Sequence, residues 1–475
     1  DYVVTKIPRF TFEKFSTSPA TLGTSMKSVG EVMAIGRTFK EAFQKACRSL
    51  EVKRFGFGMD GKDSKKDHIS DDELKRLLSI PTPDRLFALP LAIQRGFTVD
   101  KMHQLSNIDP WFLQQLSDLV MESTALSLTP DSIRRAKELG FSDVQLAHLL
   151  QQTEDAIHSF CKDHHIQPTY KLVDTCAGEF EAKTPYYYSS YETLNEVQPS
   201  SNKKVMILGG GPNRIGQGIE FDYCCVHASM AIRDLGYESI MVNSNPETVS
   251  TDFDTSDRLY FEPLTVEDVC HIYNQEKPEG VIVQFGGQTP LNLSKQLASR
   301  GVTILGTSQD SIDIAEDRDR FSSLMNASGL LQPNHGIVHF STDGFSESVC
   351  EVANRIGYPV VVRPSYVLGG AAMKVVNSDD ELRTYLATSF LNYSDNALLI
   401  DQFLDDAIEI DVDAVSDGKK CVVAGIMQHI EEAGIHSGDS ASVLPAFSLT
   451  PTMIQSIKDA TSTIALSLNV IGLLN

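Results

Sequence analysis

The sequence predicts an α/β protein in which a helical region precedes a parallel-sheet domain and a separate α+β module. Three observations predict it. Residues 51–198 consist of short apolar-periodic stretches divided by turn residues, residues 203–307 alternate strand-like and helix-like runs, and from about residue 332 the strand-like runs suit antiparallel pairing. Alternating strands and helices favour right-handed βαβ units, and hence a parallel sheet with helices on both faces.

The first half of the chain is predicted mainly from its helix signals. Residues 1–50 combine an extended segment, 2–8, with an apolar-periodic helix over 41–50. In residues 51–198, typical helix-starting residues stand at Ser70, Thr129-Pro130, Ser142 and Thr153. This region carries no chemically suggestive cluster, which favours a packing or assembly domain.

The second half is predicted from its strand-like runs. Those of the parallel sheet are 205–208, 239–243, 280–284 and 302–305, and later runs are 335–339, 359–362 and 398–402. Residues 409–415 and 421–427 alternate apolar and polar residues around a Ser-Asp-Gly-Lys-Lys turn, which predicts an antiparallel hairpin.

Composition excludes several classes of protein. A net charge of −22 over 475 residues opposes binding to nucleic acid or to an anionic membrane. No apolar run approaches the ~20 residues that span a bilayer. Eight scattered cysteines without a CxxC pair argue against a disulfide framework or structural zinc, and favour reduced thiols in the cytoplasm. The chain lacks an initiator Met and stops within an apolar run, so we expect an internal fragment.

A glycine-rich turn, GGGPNRIGQG (209–218), follows the first strand of the predicted parallel sheet. Glycines at such a turn let backbone N–H groups approach an anion at a helix N-terminus. The spacing is not that of a dinucleotide-binding fingerprint, and a tight structural turn is the common alternative.

A second motif, RPSYVLGG (363–370), begins at the end of a strand. Arg363 at that position can clamp a phosphate, and Gly369-Gly370 can form a mobile flap over nucleotide phosphates. A surface arginine followed by a hairpin turn is the alternative.

An acidic stretch covers residues 401–413, with six carboxylates in thirteen residues. A solvated strand edge explains such a run. A nucleotide site would instead use Gln402 and Leu404 as a hinge against adenine and Glu409 to accept hydrogen bonds from ribose hydroxyls.

The fourth motif is EEAGIHSGDS (431–440). Its His436 could be a general base, a metal ligand or a polar residue of a tight loop. The absence of a second His at ligand spacing argues against a metal.

In their order, these segments resemble the large subunits of the carbamoyl phosphate synthetase family along essentially the whole chain. The segments that carry the resemblance are MKSVGEVMAIGR (26–37), GGGPNRIGQGIEFDYCCVH (209–227), NPETVSTDFDTSDRLYFEP (245–263), QFGGQTPLNL (284–293), AEDRDRF (315–321), VVRPSYVLGG (361–370) and GIHSGDS (434–440).

The resemblance implies an ATP-dependent ligase with two homologous ATP-grasp halves, the first phosphorylating bicarbonate and the second carbamate. Four segments follow in order: the tail of the first half (1–50), a helical oligomerisation domain (51–198), a parallel-sheet pre-ATP-grasp domain (199–325) and a truncated α+β ATP-grasp module (326–475).

The resemblance also implies roles for individual residues. Arg318 and Arg363 would contact ATP phosphates and act in catalysis, and Gly369-Gly370 would belong to the closing loop. The rest of the ATP pocket would comprise Gln402, Leu404, Glu409, Gly434, Ile435, His436 and Ser437.

Glu31, Gly218, Glu220 and Glu247 match positions expected along a carbamate tunnel. Carbamate is itself an anion, so carboxylates along its path need hydrogen-bond compensation. Glu220 could instead be a first-turn glutamate favoured by the helix dipole.

The cofactors implied are ATP and Mg²⁺ or Mn²⁺, with K⁺ possible. The metal ligands are expected beyond Asn475, so we expect the fragment itself to be nearly inactive. The implied partners are a small glutaminase subunit and further copies through the helical domain.

Three alternatives stay open at this point. One is another ATP-grasp ligase or carboxylase with a different acceptor, and a second is a nicotinamide-dependent oxidoreductase built on the glycine-rich turn. The third is a non-catalytic assembly fragment, which a nucleotide titration would separate from a folded ATP site.

Overall fold

A computed structural model describes residues 2–15, 18–63, 69–340, 344–364, 373–388 and 397–475. The chain divides into two compact units, Asp1–Leu305 and Gly306–Asn475.

The strands are β1 (Val3–Arg9), β2 (Gly30–Gly36), β3 (Thr169–Leu172), β4 (Tyr186–Ser190), β5 (Lys204–Leu208), β6 (Glu238–Asn243), β7 (Arg258–Phe261), β8 (Gly280–Ile282), β9 (Ile304–Leu305), β10 (His335–His339), β11 (Val360–Pro364), β12 (Lys374–Val376), β13 (Ala397–Gln402), β14 (Ile410–Asp417), β15 (Cys421–His429), β16 (Ser442–Val443) and β17 (Ile471–Leu474). The α-helices are α1 (Phe39–Ser49), α2 (Asp71–Ser79), α3 (Arg85–Gln94), α4 (Val99–Ser106), α5 (Pro110–Thr124), α6 (Pro130–Glu138), α7 (Asp143–Leu149), α8 (Glu154–Asp163), α9 (Glu220–Asp234), α10 (Val266–Glu276), α11 (Gln288–Ser299), α12 (Gln309–Glu316), α13 (Arg318–Ala327), α14 (Phe345–Ile356), α15 (Asp379–Thr388) and α16 (Pro451–Ser467).

The helices α1–α8 surround an apolar core, and their starts follow the sequence signals. The side chains of Ser70, Ser142 and Thr153 each accept a hydrogen bond from a backbone N–H of the first turn. These caps satisfy donors that have no partner within the helix. Pro130 occupies the first position of α6, as predicted.

A seven-stranded sheet in the first unit has the order β3-β4-β7-β6-β5-β8-β9. Six of its strands, β4 to β9, pair in parallel, and β3 joins β4 in antiparallel orientation. Every residue of the central strand β5 is buried, as expected for a parallel strand covered on both faces. The predicted parallel sheet is confirmed.

Strands β3 and β4 fall within the range 51–198, where the sequence analysis expected only helices. They carry Tyr170, Tyr187 and Tyr188, which are all less than 10% exposed. Aromatic side chains favour strands when a sheet is available to pack against. The neighbouring sheet supplies that surface, and the prediction of an entirely helical stretch is wrong over these nine residues.

The second unit contains two four-stranded antiparallel sheets, ordered β10-β13-β11-β12 and β16-β15-β14-β17. Strands β14 and β15 form the predicted hairpin, with an irregularity between Asp413 and Ala414. Helices α14 and α15 pack on the first sheet through residues such as Val349 and Leu382. Helix α16 packs on the second through Ile454 and Ile457.

Within the described ranges, no helix is both long and apolar enough to cross a membrane. All eight cysteines are free thiols in the structure.

Candidate functional site

Arg318 and Arg363 converge on a single carboxylate, that of Asp401. Arg318 begins α13, and its Nη2 donates to Asp401 Oδ1. Arg363 lies on β11, with its Nε 3.6 Å from Asp401 Oδ2. The two arginine side chains are 30% and 32% exposed and the aspartate 14%. Two guanidinium groups therefore share one counter-charge at a partly open surface.

The strand register explains why Arg363 meets Asp401. Strands β11 and β13 are antiparallel, with Val361 opposite Asp401 and Arg363 opposite Leu399. Arg363 is two residues from Val361, so its side chain emerges on the same sheet face, diagonally across from Asp401. In the sequence, Asp401 stands in an acidic run and has no predicted role, because the strand register cannot be read from the sequence.

The two arginines retain capacity for a further anion. The Nε of Arg318 is buried and has no hydrogen-bond partner among the described residues. One carboxylate neutralises only one of the two positive charges. Guanidinium groups with spare N–H donors bind phosphate oxygens well, because their planar fork matches two oxygens at once.

The predicted hinge begins where β13 leaves its sheet, directly after Asp401. The backbone N–H of Gln402 donates to Asn334 O at 2.8 Å, and that of Phe403 to Pro359 O at 3.1 Å. Leu404 follows with 48% exposure. The same chain segment thus carries the shared carboxylate and the hinge.

The loop 431–440 packs against this hinge. Gly434 has φ +103°, and a Cβ built there would lie 2.9 Å from Cε2 of Phe403. The Phe403 ring therefore occupies the space that a side chain at position 434 would need. Two predicted pocket segments that are thirty residues apart in sequence meet through this contact, which the sequence analysis did not anticipate.

The remaining predicted pocket residues lie close to these segments in the chain. Glu409 is half-buried just before β14, and its carbonyl accepts from His429 N at 3.0 Å. Ile435 is half-buried, whereas His436 and Ser437 are exposed. Their roles in nucleotide binding stay predictions.

The structure gives His436 a local role. Its Nδ1 accepts from Gly438 N at 3.0 Å and caps a short 3₁₀ helix, Ser437–Asp439. An accepting Nδ1 places the proton of a neutral ring on Nε2. Of the three roles considered for His436 from the sequence, this contact supports that of a polar residue in a tight loop.

Two predicted site residues, Gly369 and Gly370, lie outside the described residues.

No group of three or more His, Cys, Asp or Glu side chains is placed to hold a metal ion in the described part of the chain. The cationic pair Arg318 and Arg363 fits the phosphates of a nucleotide, but the described residues offer no comparable fit for Mg²⁺.

The glycine-rich turn of the first unit is closed by side chains. Asn243 Oδ1 accepts from the backbone N–H groups of Gly211 at 3.1 Å and Ser244 at 2.8 Å. Gln217 Nε2 donates to Gly210 O at 2.7 Å. These contacts favour the tight structural turn over an open cradle of amides for an anion.

The predicted tunnel residues lie on segments that meet at this turn. A Cβ at Gly30 would lie 2.5 Å from Asn213 O, so the start of β2 touches the turn. Asn245 Nδ2 donates to Asn213 Oδ1 at 3.2 Å, and Glu247 N donates to Asn245 Oδ1 at 3.0 Å. Glu31, which follows Gly30, and Glu247 are therefore carried by neighbouring segments.

The four predicted tunnel positions differ in their surroundings. The Glu31 carboxylate pairs with Lys6 Nζ at 2.5 Å. Glu220 is exposed at the first position of α9, and Glu247 is exposed as well. A Cβ at Gly218 would lie 1.9 Å from Glu220 Oε2, so this position admits no side chain without a shift of Glu220.

A buried arginine lies within the turn and faces Glu51. Arg214 Nη2 donates to Thr289 Oγ1 at 2.5 Å, and Nη1 lies 3.9 Å from Glu51 Oε2. Burial lowers the pKa of Arg214 and raises the pKa of Glu51 to about 7. The turn therefore holds one buried cation beside Glu51.

Comparison with known families agrees with this arrangement. The model of the carbamoyl-phosphate synthetase large chain oligomerisation domain matches residues 31–165, and the carbamoyl phosphate synthase preATP-grasp domain matches 201–314. The carbamoyl-phosphate synthase L chain ATP binding domain matches 317–475.

Curated relatives match along the whole chain. The carbamoyl phosphate synthase large chains of Archaeoglobus fulgidus and Rhodopirellula baltica are each 55% identical over 485 residues, and that of Neisseria meningitidis serogroup B is 53% identical over 481. Each alignment covers 100% of this chain and 44% of the relative, so the chain spans less than half of their length.

Among solved structures, the biotin carboxylase domain of Hydrogenobacter thermophilus 2-oxoglutarate carboxylase aligns with a TM-score of 0.45 at 16% identity, covering 58% of this chain and 60% of that one. The three consecutive domain matches and the identity above 50% along its full length show that this chain belongs to the carbamoyl phosphate synthase large-chain family.

Proposed function

We propose that this chain contributes the carbamate-phosphorylating ATP site of a glutamine-hydrolysing carbamoyl phosphate synthase. That ligase would form carbamoyl phosphate from bicarbonate, glutamine-derived ammonia and two ATP, for arginine and pyrimidine biosynthesis. The observation that carries the proposal is the pair Arg318 and Arg363 held by Asp401 directly beside the hinge.

The arginine pair would bind the phosphates of ATP. Phosphoryl transfer depends on positioning and charge neutralisation and needs no protein nucleophile. In the ligand-free arrangement Asp401 orients both guanidinium groups, and nucleotide phosphates would accept from their exposed N–H donors. The charge surplus of the pair would then be neutralised by the ligand.

The hinge and the 431–440 loop would hold the nucleoside. Gln402 and Leu404 would contact adenine through backbone groups, and Glu409 would accept from the ribose hydroxyls. Gly434, Ile435, His436 and Ser437 would complete the pocket, with Gly369 and Gly370 in the closing loop. The contact between Phe403 and Gly434 supports a common pocket, because it brings the two segments together.

Mg²⁺, or Mn²⁺ in its place, would supply neutralisation of the phosphate charge when bound, and K⁺ is a further candidate cofactor. We assign none of these ions to described residues.

We further propose that Glu31, Gly218, Glu220 and Glu247 line a carbamate path. The convergence of their segments at the glycine-rich turn supports this, and the same turn carries the positive charge of Arg214.

The proposed partners are a small glutaminase subunit and further copies of the chain, in the cytoplasm. The helical region matches an oligomerisation domain and exposes Trp111 and Phe112 on α5, by 53% and 44%. Exposed aromatic side chains are typical of protein interfaces.

A nucleotide titration tests the ATP site. We expect the chain to bind ATP, and Arg363→Ala to weaken binding about tenfold or more, since a hydrogen bond to a charged group contributes roughly 1.5–3 kcal/mol. Isothermal calorimetry with and without Mg²⁺ would measure both affinities.

Arg383→Ala is the matched control, because Arg383 lies in the same unit, is 49% exposed and pairs with Glu347 at 3.7 Å. Equal affinities of the Arg363 and Arg383 variants would contradict the proposed site.

A further inference from the structure

A cluster of buried charged side chains lies where the helical region packs on α1 and α10, away from the proposed ATP site. It surrounds a cavity lined by residues of both sides, among them Arg48, Lys137, Glu267, Asp268 and His271. The proposed function uses none of these groups. Burying a charged side chain costs free energy unless the charge is paired, so the partner of each of these groups has to be identified.

Lys137 of α6 forms the centre of this cluster. Its Nζ lies 2.7 Å from Asp143 Oδ1 and donates to Glu267 Oε1 on α10. The other oxygen of Glu267 accepts from the backbone N–H of Asp143 at 2.7 Å. The Lys137 and Asp143 side chains are only 1% and 2% exposed, and Glu267 is 7% exposed. Glu267 thus joins two helices of the helical region to α10.

The charges of this group do not balance. One ammonium faces two carboxylates, so one negative charge has no lysine or arginine partner within this group. The neighbouring Arg48 does not supply it, because its Nε and Nη2 make a two-pronged contact with Asp268, each at 3.1 Å. A buried surplus charge is removed most cheaply by a proton.

Two histidines adjoin the surplus charge. His158 Nδ1 lies 3.7 Å from Asp143 Oδ2, and its side chain is 26% exposed. Its ring stacks on that of His271 with the centroids 6.4 Å apart. Burial lowers the pKa of His271 to about 4, so this imidazole stays neutral near pH 7. His158 connects the cluster to solvent.

The titratable and charged groups that act on Glu267 and Lys137 come from every surrounding element. Acting on Glu267 or Lys137 are Arg48 of α1, Asp143 of α7, Cys161 of α8, Tyr191 after β4 and Asp268 of α10. His158 of α8 and His271 of α10 act on Asp143, and Glu41, Lys45 and Glu262 line the same cavity.

We propose that this cluster is a binding site for a single proton, held by Glu267 between α10 and the helical region, and that uptake of the proton strengthens the packing of α6 and α7 on α10. Lys137 and Asp143 remain an ion pair in both states, and Glu267 changes between carboxyl and carboxylate.

The direction of the pKa shifts agrees with this assignment. Burial, followed by the charge of Asp143, raises the pKa of Glu267 to about 7, against the lowering effect of Lys137. Lys137 holds the pKa of Asp143 well below its usual range despite burial. The extra proton therefore resides on Glu267.

Linkage gives the sign of the effect on stability. Glu267 binds its proton more tightly in the folded chain than in the unfolded chain, so the folded state gains stability at low pH. That gain is lost as the pH rises from about 4.5 to about 7. Over this window the unfolding equilibrium constant should rise about tenfold per pH unit because of this group, and it should level off above pH 7.

The test compares the pH dependence of urea unfolding for the wild-type chain and Glu267→Gln between pH 5.5 and 8.5. We expect the slope below pH 7 to be smaller in the variant by about a factor of ten in the unfolding equilibrium constant per pH unit, since an amide takes up no proton. Glu51, whose pKa burial also raises to about 7, contributes equally to both chains. Glu279→Gln is the control, because Glu279 is 53% exposed and should leave the slope unchanged. An equal slope in Glu267→Gln and wild type would overturn the proposal.

Infrared spectroscopy and a second variant keep the test decisive if Glu267→Gln does not fold. Asp143→Asn removes the negative charge that opposes ionisation of Glu267. In this variant the unfolding slope should level off, and the carboxylic-acid C=O band of Glu267 should disappear, at a lower pH than in the wild type. The assignment would also be overturned if the carboxylic-acid band disappeared, and the unfolding slope levelled off, at the same pH in Asp143→Asn and in the wild type.

Discussion

Arginine side chains in the two units of the chain differ in their burial and in the number of their carboxylate partners. In the first unit, Arg258 is 8% exposed and donates through Nη1 to Glu276 at 2.8 Å, with Glu238 as a second partner. In the second unit, Arg318 and Arg363 are each about one-third exposed and share the single carboxylate of Asp401. Cations with enough buried carboxylates hold a fold together, whereas cations with too few leave positive charge for a ligand.

The same contrast separates the two clusters of surplus charge. The Lys137 cluster has two carboxylates for one ammonium, and these three side chains are at most 7% exposed, so a proton is the ligand that fits. The Asp401 cluster has one cation too many and is partly open, so an anionic ligand fits. The sign of the surplus and the exposure of the group together indicate what each site can bind.

The largest effect on stability is expected in the Lys137 cluster. Lys137→Met would leave Asp143 and Glu267 buried without their cation, and we expect a loss of about 3–5 kcal/mol in the free energy of unfolding at pH 7.5. Urea unfolding followed by circular dichroism measures it.

Lys75→Met is its matched control, because Lys75 forms an exposed pair with Asp72 at 2.8 Å and its replacement should leave the free energy of unfolding nearly unchanged. Equal losses in the two lysine variants would show that burial does not distinguish these pairs.

A smaller effect is expected at the contact between the hinge and the loop. Gly434→Ala places a Cβ 2.9 Å from the Phe403 ring at φ +103°, and we expect a loss of about 1–3 kcal/mol together with weaker ATP binding. Thermal unfolding and calorimetry would measure the two losses.

Gly357→Ala separates backbone strain from the ring contact. Gly357 lies in the same unit, has φ +92° and has nothing within 4 Å of the added Cβ. If the two alanine variants lose equal stability and bind ATP equally, Phe403 does not confine the loop.

The smallest effect on stability is expected in the Asp401 cluster. Asp401→Asn removes the shared carboxylate, but water screens both guanidinium groups, so we expect a loss of about 1 kcal/mol or less. ATP affinity should fall more clearly, because the arginines lose their common orienting partner. A stability loss as large as that of Lys137→Met would place Asp401 among the structural pairs instead.

Local signals in the sequence predicted much of the fold. Ser70, Ser142 and Thr153 cap helices where expected, and the β14–β15 hairpin forms around its predicted turn. These features depend on contacts between residues a few positions apart, so they can be predicted from the local sequence. Strands β3 and β4 were missed because they are stabilised by a sheet whose other strands follow later in the chain.

The sequence by itself determined the order of the elements, the family and the candidate arginines, because caps, turns and motifs are short-range patterns. Only the tertiary structure decided which charges meet. Asp401 reaches Arg318 across 83 residues and Glu267 reaches Lys137 across 130, and both contacts depend on packing between distant elements. Burial and pairing are properties of that packing, and they decide whether a charge stabilises the fold, binds an anion or takes up a proton.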